Sequence, residues 1–301
     1  MGGNRKIVVC GATGKQGGAV LEALQASGNW ELLAFSRDAG NQKSEAIKEK
    51  GITLLQADLA DKESLMNAFK GAYGVYAMTM PMNLKGKIDT ELEWLQGNNI
   101  VEACLANNVR HLVFSSVLYV EEGQENSLTY IKRKVDIENL VKKSKIPYTF
   151  LCPGSFMDDF GTEYLPVKKN VIVGMAADEA KLPWIACRDI GKLAAEAFAQ
   201  AEKFQGKKLN LIADFISGNE LAAVASKLSS QGKTYKHRPV SIWLMRLFAR
   251  VWIPLRRHFE KWGQAPYPPE MIRATQQTRT LLPEALTFEQ YLKWKGWDKK
   301  L

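Results

Sequence analysis

The chain has 301 residues, of which 46% are hydrophobic and 24% charged, and its 41 Lys and Arg against 32 Asp and Glu give a formal charge of +9. That much apolar surface offsets chain entropy and excludes a disordered chain, and at about 150 residues per domain the length allows one large or two modest domains. Four scattered cysteines (Cys10, Cys104, Cys152 and Cys187) without a C-x-x-C, and three histidines far apart, exclude a disulfide framework and a local metal motif. A reduced, cytoplasmic setting is expected, since Met1 to Arg5 leads straight into a strand and not into a secretory signal. No apolar run reaches the roughly 18 residues of a membrane span.

The first half alternates short β-rich runs with longer helical patterns. Strands are expected at Lys6–Cys10, Glu31–Phe35, Thr53–Gln56, Val75–Met78, His111–Ser115 and Tyr148–Cys152, with helices near 16–27, 40–50, 62–69, 90–107 and 128–143. Continuous apolar runs such as Ile7 to Cys10 fit strands covered on both faces, so the fold class expected is α/β, a doubly wound Rossmann-type parallel sheet. Beyond Pro153 the pattern loosens into a Lys-, Asn- and Gly-containing stretch at 167–174. A strand at 183–186, a helix at 189–200 and one more sheet strand at 209–212 follow. Ser217 with Glu220, and Thr287 with Gln290, have the spacing of capping boxes, and Gly296 ends the last helix. The expected division is residues 1–155, completed by about 183–212, for the sheet domain. Residues 156–182 and 213–301 form a smaller, mostly helical lobe.

The first strand runs into Gly11-Ala-Thr13-Gly14-Lys15-Gln16-Gly17. Glycines let the backbone turn tightly and approach a diphosphate, and the helix that follows points its unpaired N–H groups at the phosphates. A Gly-rich turn without a ligand is the alternative. At the tip of the second strand an NAD site places an acid against the ribose 2′-hydroxyl, whereas an NADP site places a cation against the 2′-phosphate. Ser36 and Arg37 stand there and favour NADP; Asp38 leaves NAD open, and Arg37 can be read as a solvated charge. Asp58 and Leu59 follow the third strand, where the carboxylate either accepts from the adenine amino group or caps the next helix. Thr79 ends the fourth strand at the carboxyl edge.

These pieces together resemble the short-chain dehydrogenase/reductase superfamily in its extended or atypical branch, and within it the NmrA-like proteins and their isoflavone-reductase-like relatives. The matching segments are Val9 to Gly17, Gln56 to Asp58, Val113 to Ser116, Lys145 to Thr149, Pro153 to Met157, Asp189 to Gly191, and the ending Thr287-Phe-Glu-Gln-Tyr-Leu. The likeness spans nearly the whole chain and is loosest over 213–285. Its motifs speak for fold and cofactor more than for substrate.

Tyr130 and Lys134 form a Y-x-x-x-K, one turn apart on a helix, and Ile137 and Val141 continue that line as an inward stripe. A buried ammonium needs a partner, and ribose hydroxyls suit it; the ammonium in turn makes the phenol a better proton donor near neutrality. The resemblance assigns catalysis to Tyr130, Lys134 and Ser116, with Ser116 polarising a substrate carbonyl. The isoflavone-reductase comparison rests on Lys134 alone. Pro153, Gly154, Phe156 and Met157 close or follow the sixth strand, where they are expected to line the nicotinamide pocket; packing is the other reading for Phe156 and Met157.

Residues 231–261 hold eight basic side chains and one acid, Glu260, and so account for +7 of the +9. Nucleic acid as a direct partner would spread such charge over a larger face. Within this segment 241–254 reads as one helix, apolar nearly all round, with Arg246 and Arg250 four apart. It fits a packed helix of the small lobe, a lid over an apolar substrate, or a surface helix that touches an anionic membrane or a partner. Of the two functional readings the lid is favoured. The function expected is an NADPH-dependent reductase of a small apolar carbonyl or enone-type substrate, acting as a monomer or homodimer. The alternative is a non-catalytic NADP(H)-sensing regulator acting through a protein partner.

Overall fold

Ile7, Val8 and Val9 are without solvent exposure, as a strand covered on both faces requires. The computed structural model, which describes residues 5–80, 87–119 and 128–297 apart from the side chains of Tyr130 and Phe248, sets them inside a seven-stranded sheet. In chain order the elements are β1 (Arg5–Val9), α1 (Lys15–Ser27), β2 (Trp30–Ser36), α2 (Gln42–Glu49), β3 (Thr53–Gln56), α3 (Lys62–Ala68), β4 (Gly74–Met78), α4 (Thr90–Ala106), β5 (His111–Ser115), α5 (Thr129–Ser144), β6 (Tyr148–Pro153), β7 (Ser155–Phe156), β8 (Val167–Lys168) and β9 (Val171–Gly174). There follow β10 (Lys181–Ile185), α6 (Cys187–Ala199), α7 (Ala201–Phe204), β11 (Lys207–Leu211), β12 (Asp214–Ser217), α8 (Gly218–Lys227), β13 (Lys236–Pro239), α9 (Ile242–Phe248), α10 (Ile253–Trp262), α11 (Pro269–Leu281) and α12 (Phe288–Lys295).

The large sheet has the order β11-β6-β5-β4-β1-β2-β3. Its pairings from β3 to β6 are parallel. The bonds from Gly206 N to Tyr148 O and from Gly154 N to Leu211 O advance together along both strands, so β11 joins in parallel as well. This is the doubly wound Rossmann-type α/β fold that the strand–helix alternation implies. Its strand order reverses between β1 and β4, and ligands of such sheets sit at the carboxyl edge of that reversal.

Two close contacts bring the helices together over the sheet. A Cβ on Gly191 would overlap Ala19 O and stand 2.6 Å from its carbonyl carbon, so glycine is what lets α6 reach α1. A Cβ on Gly97 would stand 2.6 Å from the Ile137 side chain, so α4 and α5 also meet closely. Leu65, Ile100, Cys104, Ile137 and Val141 share one core with Phe114 and Phe150 of the sheet.

The chain divides into two units, Met1–Cys152 with Cys187–Leu209, and Pro153–Ala186 with Asn210–Leu301. The second unit carries two three-stranded sheets, β12-β10-β7 and β13-β9-β8. Both capping boxes form, at Ser217 and at Thr287, and Gly296 closes α12 with φ 63°. One region left unassigned by its pattern is filled in here, and one expectation is corrected. The stretch 167–174 is a hairpin, turned by Lys169 and Asn170 at φ 48° and 61° and paired through β9 with β13. The single helix over 241–254 is two, α9 and α10, with a break at Ala249 (φ −145°) and a 3-10 turn at Arg250–Trp252. Pro254 is the reason: its ring collides with the carbonyl four residues back, and it is tolerated in the first turn of the helix that restarts there. No helix among the described residues is long and apolar enough to cross a membrane.

His111 opens β5 fully buried, its Nε2 2.9 Å from Thr149 Oγ1, whose own proton goes to Phe204 O. The ring nitrogen facing Thr149 is therefore the protonated one of a neutral imidazole. Burial pulls its pKa from 6.5 down to about 4. The unfolded chain takes up this proton first, so the contribution is whole above pH 6.5 and fades as pH falls towards 4. Between pH 7 and pH 4 the protein is expected to lose about 3 kcal/mol more stability than a His111→Phe variant, read from urea midpoints.

Candidate functional site

The end of β1 delivers the chain into Gly11 at φ 64°, and Gly14 N donates back to Gly11 O at 2.9 Å, closing a tight turn. Helix α1 starts at Lys15 with Gly14 as its N-cap, a residue with no side chain to cap the first turn. The first N–H groups of the helix carry the positive end of its dipole. A Cβ on Gly17 would overlap Gly11 O and lie 2.6 Å and 2.7 Å from Gly11 C and Cys10 O, so the loop folds onto the helix only with glycine there. Thr13 is half-buried and Lys15 exposed. Gln16 is buried, and its Nε2 has no hydrogen-bond partner among the described residues. An uncapped, glycine-lined helix start with an orphan amide donor, at the edge where the strand order reverses, fits an anion such as a pyrophosphate.

At the tip of β2 the structure separates residues that the sequence left in competition. The Asp38 carboxylate accepts from Gly40 N at 3.0 Å, and the Ser36 hydroxyl donates to Asp38 O at 3.0 Å, so both close the local turn. Arg37 is exposed and makes no bond or ion pair among the described residues. At β3, Asp58 Oδ1 accepts from Ala60 N, while Asp61 caps α3 through Glu63 N and Ser64 N. The reading of Asp58 as the cap is thus corrected: a carboxylate three residues later reaches those N–H groups. Leu59 is held by Asn99, whose Nδ2 donates to its carbonyl at 3.0 Å.

Lys134 is buried, as its helix stripe implies, and it is tied to Thr79 and Glu93. Its Nζ donates to Thr79 O and Thr79 Oγ1, both at 2.7 Å, and lies 3.0 Å from Glu93 Oε1. Thr79 Oγ1 donates to that same oxygen at 3.0 Å. Two of its N–H groups are thus bonded to Thr79, and the ammonium is ion-paired with Glu93. Glu93 has no solvent exposure, and its Oε2 has no partner among the described residues. The pairing follows from the close approach of α4 and α5: Gly97 sits on Ile137, and Glu93 and Lys134 lie one turn earlier on their respective helices. Helix α4 also ties the end of β4 through Gln96, whose Oε1 accepts from Met80 N at 3.0 Å.

Glu93, Gln96 and Asn99 were not foreseen as site residues. Their spacing of three along the buried face of α4 is the signal that marks them, since polar groups on a buried face must be bonded to something. Here they hold the loops that follow β3 and β4.

Ser116 is also buried, and its hydroxyl donates to Glu138 Oε1 at 2.5 Å. Glu138 is without exposure and pairs with Lys208 of β11, at 3.0 Å and 2.9 Å to its two oxygens; Tyr119 donates to Oε2 at 3.3 Å. A hydroxyl has one proton, so Ser116 reaches a developing oxyanion only by turning away from Glu138. Tyr130 lies four residues before Lys134 on α5, and its side chain is outside the described residues. Pro153 and Phe156 belong to the second unit, where Phe156 is registered on Ile185 in β7. Burial pushes the thiols of Cys10, Cys104 and Cys152 up, which keeps them neutral.

The sheet order, the loop after β1 and the uncapped α1 define a Rossmann-type protein of the dinucleotide-binding class of folds. The sequence matches the model of the NmrA-like family over residues 3–292, and the chain belongs to that family. The NmrA-like family domain-containing oxidoreductase FrzB of Cladobotryum sp is 26% identical over 260 residues, 78% of this chain and 76% of that protein. Citrobacter sp. triphenylmethane reductase, complexed with NADP(H), shares the fold with a TM-score of 0.73 and 23% identity, over 96% of this chain and 99% of that one. NmrA, a negative transcriptional regulator in complex with NAD, does so with a TM-score of 0.75 and 17% identity, over 99% and 100%.

Proposed function

We propose that this protein is an NADP-dependent oxidoreductase that transfers hydride between the nicotinamide and a carbonyl or activated double bond of a small, rather apolar molecule. The observation that carries this reading is the start of α1: no side chain caps it, and its turn excludes a Cβ at Gly17. Its buried Gln16 also keeps an unused amide donor. These are the properties a pyrophosphate requires of Gly11, Thr13, Gly14, Lys15, Gln16 and Gly17. When bound, the dinucleotide supplies the hydride.

The remaining roles belong to the chain's own side chains. Arg37 faces the 2′-phosphate; Ser36 shapes that turn, and Asp58 with Leu59 borders the adenine. Lys134, held by Thr79 and Glu93, meets the ribose with one of its N–H groups exchanged from those acceptors. Tyr130, one turn away, moves the proton. Ser116 serves the oxyanion in its turned rotamer. Triphenylmethane reductase with its NADP(H), and the oxidoreductases among the family relatives, support the enzymatic reading. NmrA supports the regulatory one, which needs no acid–base pair. Four free, buried cysteines support a reducing compartment such as the cytoplasm.

Absorbance at the reduced nicotinamide band, with a panel of carbonyl and enone substrates, tests turnover. Tyr130→Phe is expected to abolish turnover and spare dinucleotide binding; unchanged turnover removes the tyrosine from the reaction. Arg37→Ala is expected to weaken NADPH about tenfold and NADH hardly at all, as loss of charge-assisted bonds to one phosphate implies. Equal losses in a fluorescence titration remove the 2′-phosphate assignment.

A further inference from the structure

The surface of residues 242–257 is used by neither the fold nor the proposed chemistry. In α9 only Met245, among the described side chains, is buried. Ile242, Trp243, Leu244 and Leu247 are 38%, 65%, 44% and 56% exposed, and Val251 beyond the break is 56% exposed. Single exposed apolar residues are ordinary; five within one short segment form a patch that marks an interaction site. The expectation of a packed helix is corrected with it, because the break before Pro254 shortens α9 to two turns and its apolar residues cannot all face inward.

Arg246, Arg250 and Arg257 stand exposed in the same segment, and none of their side chains has a hydrogen bond or ion pair among the described residues. Arg256 differs. It is buried, its Nε donates to Glu260 Oε1 at 2.9 Å and its Nη1 to Val240 O, and Glu260 Oε1 also accepts from Ala177 N at 3.2 Å. The one acid between 231 and 261 is thereby engaged inside the unit. With Arg256 it ties α10 to Val240, just before α9, and to Ala177, and it leaves the outer cations without a counter-charge among the described residues.

We propose that this face docks on an anionic lipid surface. Trp243, Leu244, Leu247 and Val251 enter the boundary between headgroups and acyl chains, and Arg246, Arg250 and Arg257 meet the lipid phosphates. Charge complementarity selects this occupant. A second copy of the chain meeting the same patch across a two-fold axis would set these arginines against one another, and an apolar substrate gives them no partner. So short a patch anchors reversibly and loosens with salt.

The test sediments the full-length protein with vesicles of phosphatidylcholine alone, or of phosphatidylcholine mixed with phosphatidylglycerol, at low and high salt. Binding is expected to the mixed vesicles only, and to fall with salt. Arg246→Ala with Arg250→Ala is expected to weaken it roughly 25-fold, at about fivefold per cation, and Leu247→Ser to weaken it without changing the salt dependence. These side chains are exposed, so the variants are expected to melt as the wild type does; should the double variant not, Arg250→Gln alone decides by the same comparison. No binding to anionic vesicles at low salt, or binding indifferent to these substitutions, overturns the proposal. So does self-association that Leu247→Ser abolishes, which would give the face to a second copy.

Discussion

Lys134→Met is expected to destabilise the fold by about 3–5 kcal/mol and to abolish dinucleotide binding, whereas adding Glu93→Gln should restore most of the stability and none of the binding. The first loss follows from what the substitution leaves behind. Glu93 is fully buried, one of its oxygens is already without a partner among the described residues, and the other faces Lys134 at 3.0 Å. Without the ammonium, only the Thr79 hydroxyl still bonds that carboxylate. A neutral amide at position 93 removes the unpaired charge and keeps a partner for Thr79. The pair should therefore show a coupling of about 2–3 kcal/mol in a double-mutant cycle by urea unfolding. Additive losses would mean that the ammonium and the carboxylate do not depend on each other.

Gly17→Ala is expected to reduce dinucleotide affinity by roughly 100-fold or more, with a fall in stability of about 1–3 kcal/mol. The methyl group has nowhere to go, because what it meets is the backbone of Gly11 and Cys10 and not the end of a flexible side chain. The turn must open, and the N–H groups at the start of α1 then no longer converge on one anion. The same helix carries a control. Gly28 caps its other end at φ 68° with open space where a Cβ would stand, so Gly28→Ala strains the backbone and leaves the phosphate loop intact. A fluorescence titration should find Gly28→Ala binding like the wild type and Gly17→Ala not. Equal affinities for all three proteins would show that the loop holds no phosphate.

The parallel sheet was legible because its central strands are buried on both faces, which leaves runs such as Leu112 to Phe114 without a polar interruption. The glycine turn after β1 was legible for the same reason in reverse, since glycine is irreplaceable where backbone meets backbone. The partners of Lys134 were not. Its burial follows from a stripe on α5, but Glu93 lies on another helix, forty-one residues earlier, and is brought to it by the contact of Gly97 with Ile137. The likeness of Ser116 to a catalytic serine concealed its bond to Glu138, which depends in turn on Lys208 from a strand at the far edge of the sheet. In the second unit, two-residue strands such as Val167–Lys168 offer no periodicity to read, and the β9 strand they pair with is joined in turn to a distant strand, β13. The region 241–254 deceived because apolar content was plain while the break was encoded by one proline at its end.

Calorimetric titration of the full chain with NADPH and, separately, with NADH tests dinucleotide binding most directly. One site per chain is expected, with NADPH bound more tightly. A folded protein that releases no heat with either dinucleotide would contradict it.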